Sequence, residues 1–179
     1  MNYPIQALLN QAIHAFQLHK IDEARNLLIK VLTLDSNCLP ALCISGLIEA
    51  TQNNHHEAQK LFKKALKLSP NDPTVIYNLA KSLFDCNKSS EAIPLLEKVI
   101  KLQPNNFDAL LNLSQSLASC GRFTEALIQI DTCLNHVANR ADVYIMKGAI
   151  LGDMGKLDEA VASIGKGLSL NPNLPDGFY

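Results

Sequence analysis

The residues most suggestive of chemistry are two adjacent histidines, His55 and His56. Imidazole is a common zinc ligand, but a structural zinc site needs four ligands. No cysteine or further histidine lies at ligand spacing from the pair, and side chains at i and i+1 diverge on a helix. We therefore predict no metal site, and we expect both histidines to lie in a solvated turn.

Five cysteines are the candidate nucleophiles and disulfide partners. They are Cys38, Cys43, Cys86, Cys120 and Cys133. Their number is odd, no C-x-x-C pair occurs, and neither of the first two has a histidine or an acid at suggestive spacing. This usage is typical of reduced, partly buried thiols, and the start of the chain shows no secretory signal. We therefore predict a cytoplasmic protein without catalytic cysteines.

The composition argues against several other functions. The 179 residues include 16 Lys and Arg against 17 Asp and Glu, which leaves no positive surplus for nucleic acid. The longest nearly uncharged run, residues 38–48, is about half of the roughly 20 residues that span a membrane. No glycine-rich phosphate motif occurs, so we predict neither a cofactor nor an enzyme. A run of lysines is expected to form a solvated helix face: Lys60, Lys63, Lys64 and Lys67.

The chain is organised by an internal repeat. The pair Glu-Ala recurs every 34 residues, with its alanine at Ala24, Ala58, Ala92, Ala126 and Ala160. Twelve residues before each alanine the side chain is small: Ala12, Gly46, Ala80, Ser114 and Gly148. Four residues after each alanine it is large and apolar: Leu28, Phe62, Leu96, Ile130 and Ile164. A period of this length indicates a stack of identical structural units.

Each unit is predicted to contain two amphipathic helices. In residues 73–106, apolar side chains fall at i, i+3, i+4 and i+7 in two separate stripes. Between the stripes one slot always holds a residue that tolerates the left-handed conformation: His19, Asn53, Asn87, Gly121 and Gly155. Three residues later lie the predicted cap positions of the second helices, and four of their five residues can accept a hydrogen bond from a free amide: Asp22, His56, Ser90, Thr124 and Asp158 occupy these positions. Asp72-Pro73 and Asn106 are predicted to begin first helices.

This pattern resembles the tetratricopeptide repeat (TPR) family. The resemblance implies an all-α fold, a right-handed TPR superhelix of helix-turn-helix repeats. The five units would cover residues 5–38, 39–72, 73–106, 107–140 and 141–174. Residues 175–179 resemble the start of a sixth, truncated unit. We therefore expect a fragment of a longer repeat protein, with a short docking tail as the alternative.

The family's geometry implies that first helices line a concave groove. The residues expected to form the peptide-binding groove are Tyr77, Asn78, Lys81, Phe84, Leu111, Asn112, Gln115 and Ile145. Leu47, Asp85, Asp142 and Met146 are expected on the same face. Some family members bind chaperone carboxylates with Lys, Asn and Arg, but here only Asn112 is of the expected type at the clamp slots. We therefore predict that this chain is not a carboxylate-clamp adaptor.

Asn10, Asn78 and Asn112 share one slot of the repeat. An amide can pair with the backbone of an extended peptide whatever its sequence. The arrangement is similar to the asparagine ladder of O-linked N-acetylglucosamine transferases, although Ile44 and Met146 interrupt it. The alternative interpretation is that these amides bond to neighbouring helices.

The sequence therefore predicts a scaffold that binds a peptide or helix of a partner protein in its groove. The alternative is the N-terminal TPR region of a larger enzyme, such as a glycosyltransferase. Self-association through uncapped ends is a third prediction, because exposed apolar surface promotes stacking between chains.

Overall fold

The computed structural model describes residues 3–172, and every regular element in this range is a helix. The helices are α1 (Tyr3–Gln17), α2 (Ile21–Leu34), α3 (Leu39–Thr51), α4 (His55–Leu68), α5 (Pro73–Asp85), α6 (Ser89–Leu102), α7 (Phe107–Ser119), α8 (Phe123–His136), α9 (Ala141–Asp153) and α10 (Leu157–Leu170). The predicted all-α class is confirmed. The expected sixth unit lies outside the described residues, and the division into repeats stays a prediction.

The turns within the helix pairs follow the predicted left-handed residues. His19, Asn53 and Asn87 have φ of 57–60°, and Gly121 and Gly155 have φ of 75–76°. In the first turn the amide of Lys20 donates to the carbonyl of Ala15 at 2.9 Å, five residues back. This bond satisfies a carbonyl that the end of α1 would otherwise leave without a partner.

The predicted caps of the second helices were wrong. These helices begin at Ile21, His55, Ser89, Phe123 and Leu157, so the five predicted cap residues are each the second residue of a helix. The residue before each helix makes no side-chain cap bond. The cap position after each left-handed residue holds a lysine or an arginine in four of the five turns, and these side chains cannot accept a hydrogen bond from an amide. The acidic residues there act through their charge at the positive helix end.

The helices group into two compact units that divide between Asn87 and Lys88. The first unit contains α1 to α5. One part of its core is formed by Leu9, Ala12, Ala15, Ala24, Leu28, Val31, Cys38, Ala41 and Ile48. A second part is formed by Leu42, Ala65 and Val75. As predicted, the Asp72 side chain caps α5 by accepting from the amide of Thr74 at 2.9 Å.

Polar contacts join successive hairpins of the first unit. Arg25 on α2 forms an ion pair of 3.1 Å with Glu49 on α3. One repeat later, Gln59 on α4 donates to the carbonyl of Ser82 on α5 at 3.1 Å. The same slot of the repeat therefore contacts the next hairpin twice, by different chemistry.

The second unit contains α6 to α10 and is built in the same way. Its fully buried residues include Leu96, Leu110, Ile130, Cys133 and Val143. As predicted, Asn106 caps α7, because its side chain accepts from the amide of Ala109 at 3.0 Å. Ser114 donates to the carbonyl of Ala126 at 3.1 Å and ties α7 to α8.

Candidate functional site

A pocket of about 210 Å³ lies between α3, α4 and α5 in the first unit. Its lining residues are Leu47, Ala50, Thr51, Phe62, Asn78, Lys81, Ser82 and Asp85. We call this site the α3–α5 pocket. It combines an apolar base with a polar rim.

The base of the pocket depends on a glycine. A Cβ atom added to Gly46 would lie 2.5 Å from Cε1 of Phe62, so only glycine lets the ring pack directly against α3. Phe62 is completely buried in this position. Leu47 and Ala50, both half-buried on α3, form the apolar wall beside the ring.

The rim carries two kinds of polar group. Lys81 Nζ lies 3.2 Å from Asp85 Oδ2, one helical turn away on α5, and both side chains contact solvent. An exposed pair of this kind contributes little to stability, so either charge can exchange its partner for a ligand. Asn78 is half-buried and has no hydrogen-bonding partner among the described residues.

Ser82 and Thr51 are occupied by the fold. The Ser82 hydroxyl donates to the carbonyl of His55 at 3.4 Å and also lies 3.5 Å from His55 Nδ1. The Thr51 hydroxyl donates to the carbonyl of Ile48 at 2.8 Å. The polar groups left for a ligand at this pocket are therefore the amide of Asn78 and the two charges of the Lys81–Asp85 pair.

The predicted groove residues of the first unit separate into two groups. Asn78 and Lys81 line the α3–α5 pocket together. Tyr77 and Phe84 are half-buried on the same helix but do not line it. One turn of a helix thus brings residues 78 and 81 onto the same face, as their spacing predicts.

In the second unit two predicted groove residues lie in the core. Leu111 is 7% exposed and Ile145 is 5% exposed. Ile145 packs on α10, where a Cβ atom at Gly167 would lie 2.9 Å from its Cδ1 atom. Asn112 and Gln115, both half-buried on α7, are the predicted residues of this unit that keep surface for a ligand. The place of these two residues in a groove stays a prediction, and the structure leaves little surface of either side chain for a ligand.

The asparagine slot is used differently along the first unit. The Asn10 side chain is exposed and accepts a hydrogen bond of 3.0 Å from Gln6 on its own helix. Asn78 occupies the same slot in α5 but lies beside the α3–α5 pocket. A shared repeat position therefore does not give the two amides the same surroundings.

Four lining residues were not expected in the groove: Ala50, Thr51, Phe62 and Ser82. Phe62 belongs to a second helix, and the prediction considered first helices alone. The available signal was the combination of Gly46 with a phenylalanine in the large slot. In this combination the phenylalanine ring occupies the space beside α3 that the glycine leaves open.

The surroundings of the two adjacent histidines at the start of α4 differ in part from the prediction. His55 is half-buried at the start of α4 and contacts Ser82, so it is not a residue of a solvated turn. His56, next to it, is exposed. Among residues 3–172, no three His, Cys, Asp or Glu side chains form a group able to hold a metal ion.

The cysteines of the described range are free thiols. Burial raises the pKa of the Cys43 thiol to about 11, and the charge of Asp72 adds to this effect. Burial also raises the pKa of Cys133. Both thiols are therefore protonated at neutral pH, and the nucleophilic form is the thiolate.

Asp142, on the predicted groove face, is unfavourable for a carboxylate ligand. Arg140 Nη2 lies 2.5 Å from Asp142 Oδ2, and this hydrogen bond lowers the pKa of the Asp142 carboxyl. Asp142 is thus negatively charged at neutral pH and repels a second carboxylate.

None of the helices within residues 3–172 combines the length and the apolar composition that a membrane span needs.

Comparison with known families identifies the class of protein. The model of the tetratricopeptide repeat protein 21 C-terminal ARM domain matches residues 2–108. Two tetratricopeptide repeat models match residues 87–150 and 141–174. The chain belongs to the tetratricopeptide repeat family. No curated protein sequence matches it significantly.

Solved structures share its fold. YrrB, described as a TPR protein with an unusual peptide-binding site, has a TM-score of 0.84 and 23% identity, over 93% of this chain and 86% of YrrB. MamA from MSR-1 has a TM-score of 0.86 and 22% identity, over 96% and 98% of the two chains. A MamA RS-1 double mutant has a TM-score of 0.90 and 18% identity, over 96% and 97%. These likenesses confirm the predicted TPR fold class. The similarity to O-linked N-acetylglucosamine transferases stays a prediction.

Proposed function

We propose that this chain is a protein-interaction scaffold that binds an extended peptide of a partner protein. The observation that carries the proposal is the α3–α5 pocket, where an apolar base lies beside the side-chain amide of Asn78, which has no hydrogen-bonding partner within residues 3–172. The peptide would place one apolar side chain against Leu47 and Ala50, next to the buried ring of Phe62. The fold of YrrB, described as having a peptide-binding site, supports this class of function.

The size of the pocket favours a single side chain over a small molecule. Its volume of about 210 Å³ is below the roughly 300–1,000 Å³ of typical small-molecule sites. One aliphatic side chain fills such a space and leaves its backbone at the rim. Asn78 lies at this rim. Its side-chain amide offers a donor and an acceptor, which match the carbonyl and the N–H group of a peptide unit.

The Lys81–Asp85 pair sets the electrostatics of the same rim. Since the two opposite charges lie side by side, a ligand with a net charge of either sign gains little over a neutral one. This arrangement favours a neutral apolar segment and agrees with the prediction that this chain is not a carboxylate-clamp adaptor. We therefore propose recognition by one anchoring side chain and backbone hydrogen bonds.

The test is selection from a random-sequence peptide library displayed on phage, followed by affinity measurement of the selected peptides. We expect enrichment of one apolar position. Asn78→Ala should then weaken binding about two- to tenfold, the effect of losing about 0.5–1.5 kcal/mol of hydrogen bonding. Asn10→Ala, at the same slot but outside the pocket, is the matched control and should leave affinity unchanged.

Thermal unfolding of Asn78→Ala separates binding from folding. The Asn78 side chain has no hydrogen-bonding partner among the described residues. The thermal unfolding midpoint of the Asn78→Ala variant should therefore equal that of the parent chain within error. Lost stability with intact peptide binding would instead show that the amide serves the fold, and the proposal would fail.

We propose self-association of two copies as a second property, on the basis of α10. Leu157 is 68% exposed and Val161 is 70% exposed on this helix. Arg25 and Gln59, which hold the slot of Val161 in α2 and α4, instead contact the next hairpin. On the first hairpin the exposed Leu18 lies among polar side chains such as Gln11 and His14, so we favour contact between two α10 helices over head-to-tail stacking.

Static light scattering at several concentrations tests this self-association. The parent chain is expected to gain mass with concentration, and Val161→Lys should remain monomeric because a lysine would be buried in the contact. Ile29→Lys, at a side chain that is 56% exposed on α2, is the control and should behave like the parent. A parent chain that is monomeric throughout would refute the second proposal.

A further inference from the structure

One face of α4 carries an excess of positive charge. Lys60, Lys63, Lys64 and Lys67 follow a helical spacing and line an open pocket of about 580 Å³ together with Asn37 and Leu68. We call these four lysines the lysine face. None of its residues lines the α3–α5 pocket, although both sites share α4.

The charges of the lysine face are largely uncompensated. Lys60 Nζ lies 2.9 Å from Glu57 Oε2. Lys63, Lys64 and Lys67 have no ion pair or hydrogen bond with any other side chain in the described range. Like charges at i, i+3 and i+4 destabilise an isolated helix by a few tenths of a kcal/mol for each pair, about 0.2–0.5. The fold therefore gains nothing from this clustering.

The other second helices do not show this excess. α2 and α6 each carry two acidic and two basic side chains, counting Lys, Arg, Asp and Glu. α8 carries two acidic side chains and no Lys or Arg, and α10 carries two acidic side chains and one lysine. α4 alone among these five carries four lysines against one glutamate. The charge is thus a local feature on a chain whose net charge is -1.

The surroundings of the lysines indicate the kind of partner. Leu68 is 42% exposed in the same pocket, and the aliphatic stems of lysines add apolar surface. A ligand that fits must offer both carboxylates and an apolar side chain. Among the described residues that line the pocket, none is an aromatic residue for stacking bases and none is an arginine, which disfavours RNA and single-stranded DNA.

We propose that the lysine face docks an acidic, amphipathic segment of a partner protein. Its carboxylates pair with Lys63, Lys64 and Lys67, and one of its apolar side chains packs on Leu68. The segment is distinct from the neutral peptide proposed for the α3–α5 pocket. The first unit of the scaffold therefore has two proposed recognition surfaces, one for a neutral peptide and one for an acidic segment.

The test measures fluorescence anisotropy with a labelled 15-residue peptide of glutamate and leucine in helical spacing. The triple variant Lys63→Gln, Lys64→Gln, Lys67→Gln should lose at least about tenfold in affinity. The matched control Lys30→Gln, Lys88→Gln, Lys101→Gln makes the same change in net charge outside α4 and should lose less than about twofold. Binding to the parent chain should weaken as salt is raised, because screening reduces attraction between exposed charges.

Several outcomes would overturn the proposal. Equal losses in the two triple variants would show a general charge effect. Equally tight binding of a uridine homopolymer, or of phosphatidylserine vesicles, through the same lysines would replace the protein segment by a general polyanion. Circular dichroism checks that the variants are folded, and the single variant Lys67→Glu repeats the test if the triple variant is not. Asn78→Ala should leave this binding unchanged, whatever the result at the α3–α5 pocket.

Discussion

Replacing Phe62 by alanine is expected to lower the free energy of unfolding of the first unit by about 3–5 kcal/mol. Phe62 is the largest of the fully buried side chains and fills the space beneath Gly46. Alanine would leave a cavity that neighbouring helices can close only in part. A loss of this size is a large share of the roughly 5–15 kcal/mol that stabilises a typical domain. Urea denaturation followed by circular dichroism measures it.

Phe84→Ala provides the comparison for this prediction. Phe84 is also a phenylalanine of the first unit, but it is half-buried on α5. Removal of its ring should therefore cost clearly less than removal of the Phe62 ring, since less surface leaves water on folding. Equal losses for the two variants would contradict the burial that the structure assigns to Phe62.

Gly46→Ala is expected to destabilise the chain, although alanine is the better helix former. A helix interior normally gains about 0.5–1 kcal/mol from this substitution. Here the new Cβ would lie 2.5, 2.8 and 2.9 Å from three atoms of the Phe62 ring. Overpacking of a filled core costs about 1–3 kcal/mol, which outweighs the helical gain. Chemical denaturation of the variant gives the sign directly.

Gly165→Ala is the matched control, because it is the same substitution inside another helix. A Cβ at Gly165 meets no atom within 4 Å, so the variant should be stabilised by about 0.5–1 kcal/mol. The double variant Gly46→Ala with Phe62→Leu should lose less than the sum of its single variants, because the shorter side chain makes room. Strict additivity would show that the two residues do not share the space.

The helical pattern could be predicted because the repeat states it five times. Fixed spacing placed the left-handed residues of each turn, and Asp72 and Asn106 were recognisable as caps from their types alone. The capping of the second helices was mispredicted, since it depends on how tightly the preceding turn closes. The predicted and the observed cap positions differ by two residues, and this shift leaves the apolar pattern of the helix unchanged.

The candidate site could be predicted only in part, for a reason of packing. Asn78 and Lys81 were found because they share a helix face, which spacing alone determines. The burial of Ile145 could not be predicted because it depends on Gly167, a residue of a different helix. Phe62 was missed because its ring reaches the pocket from a second helix. A contact between two helices depends on the sizes of the side chains from both helices. The apolar pattern of one helix gives only one of these two sizes.

The sizes of paired residues also refine the interpretation of the small slot. Gly46 faces the ring of Phe62, and a Cβ at Gly148 would collide with Ile164. In these hairpins the small slot of one helix accommodates the large slot of the other. The two slots are therefore expected to change together during evolution, a larger residue in one requiring a smaller residue in the other.

The order of packing along the chain has a consequence for how the protein opens. Within each unit the main contacts join helices that are neighbours in sequence, such as α1 with α2 and α9 with α10. Such local topology allows fast folding, and it lets one hairpin detach while the adjoining ones persist. Amide protons should therefore exchange with deuterium in blocks of one hairpin each, with their own rates, instead of in a single concerted event.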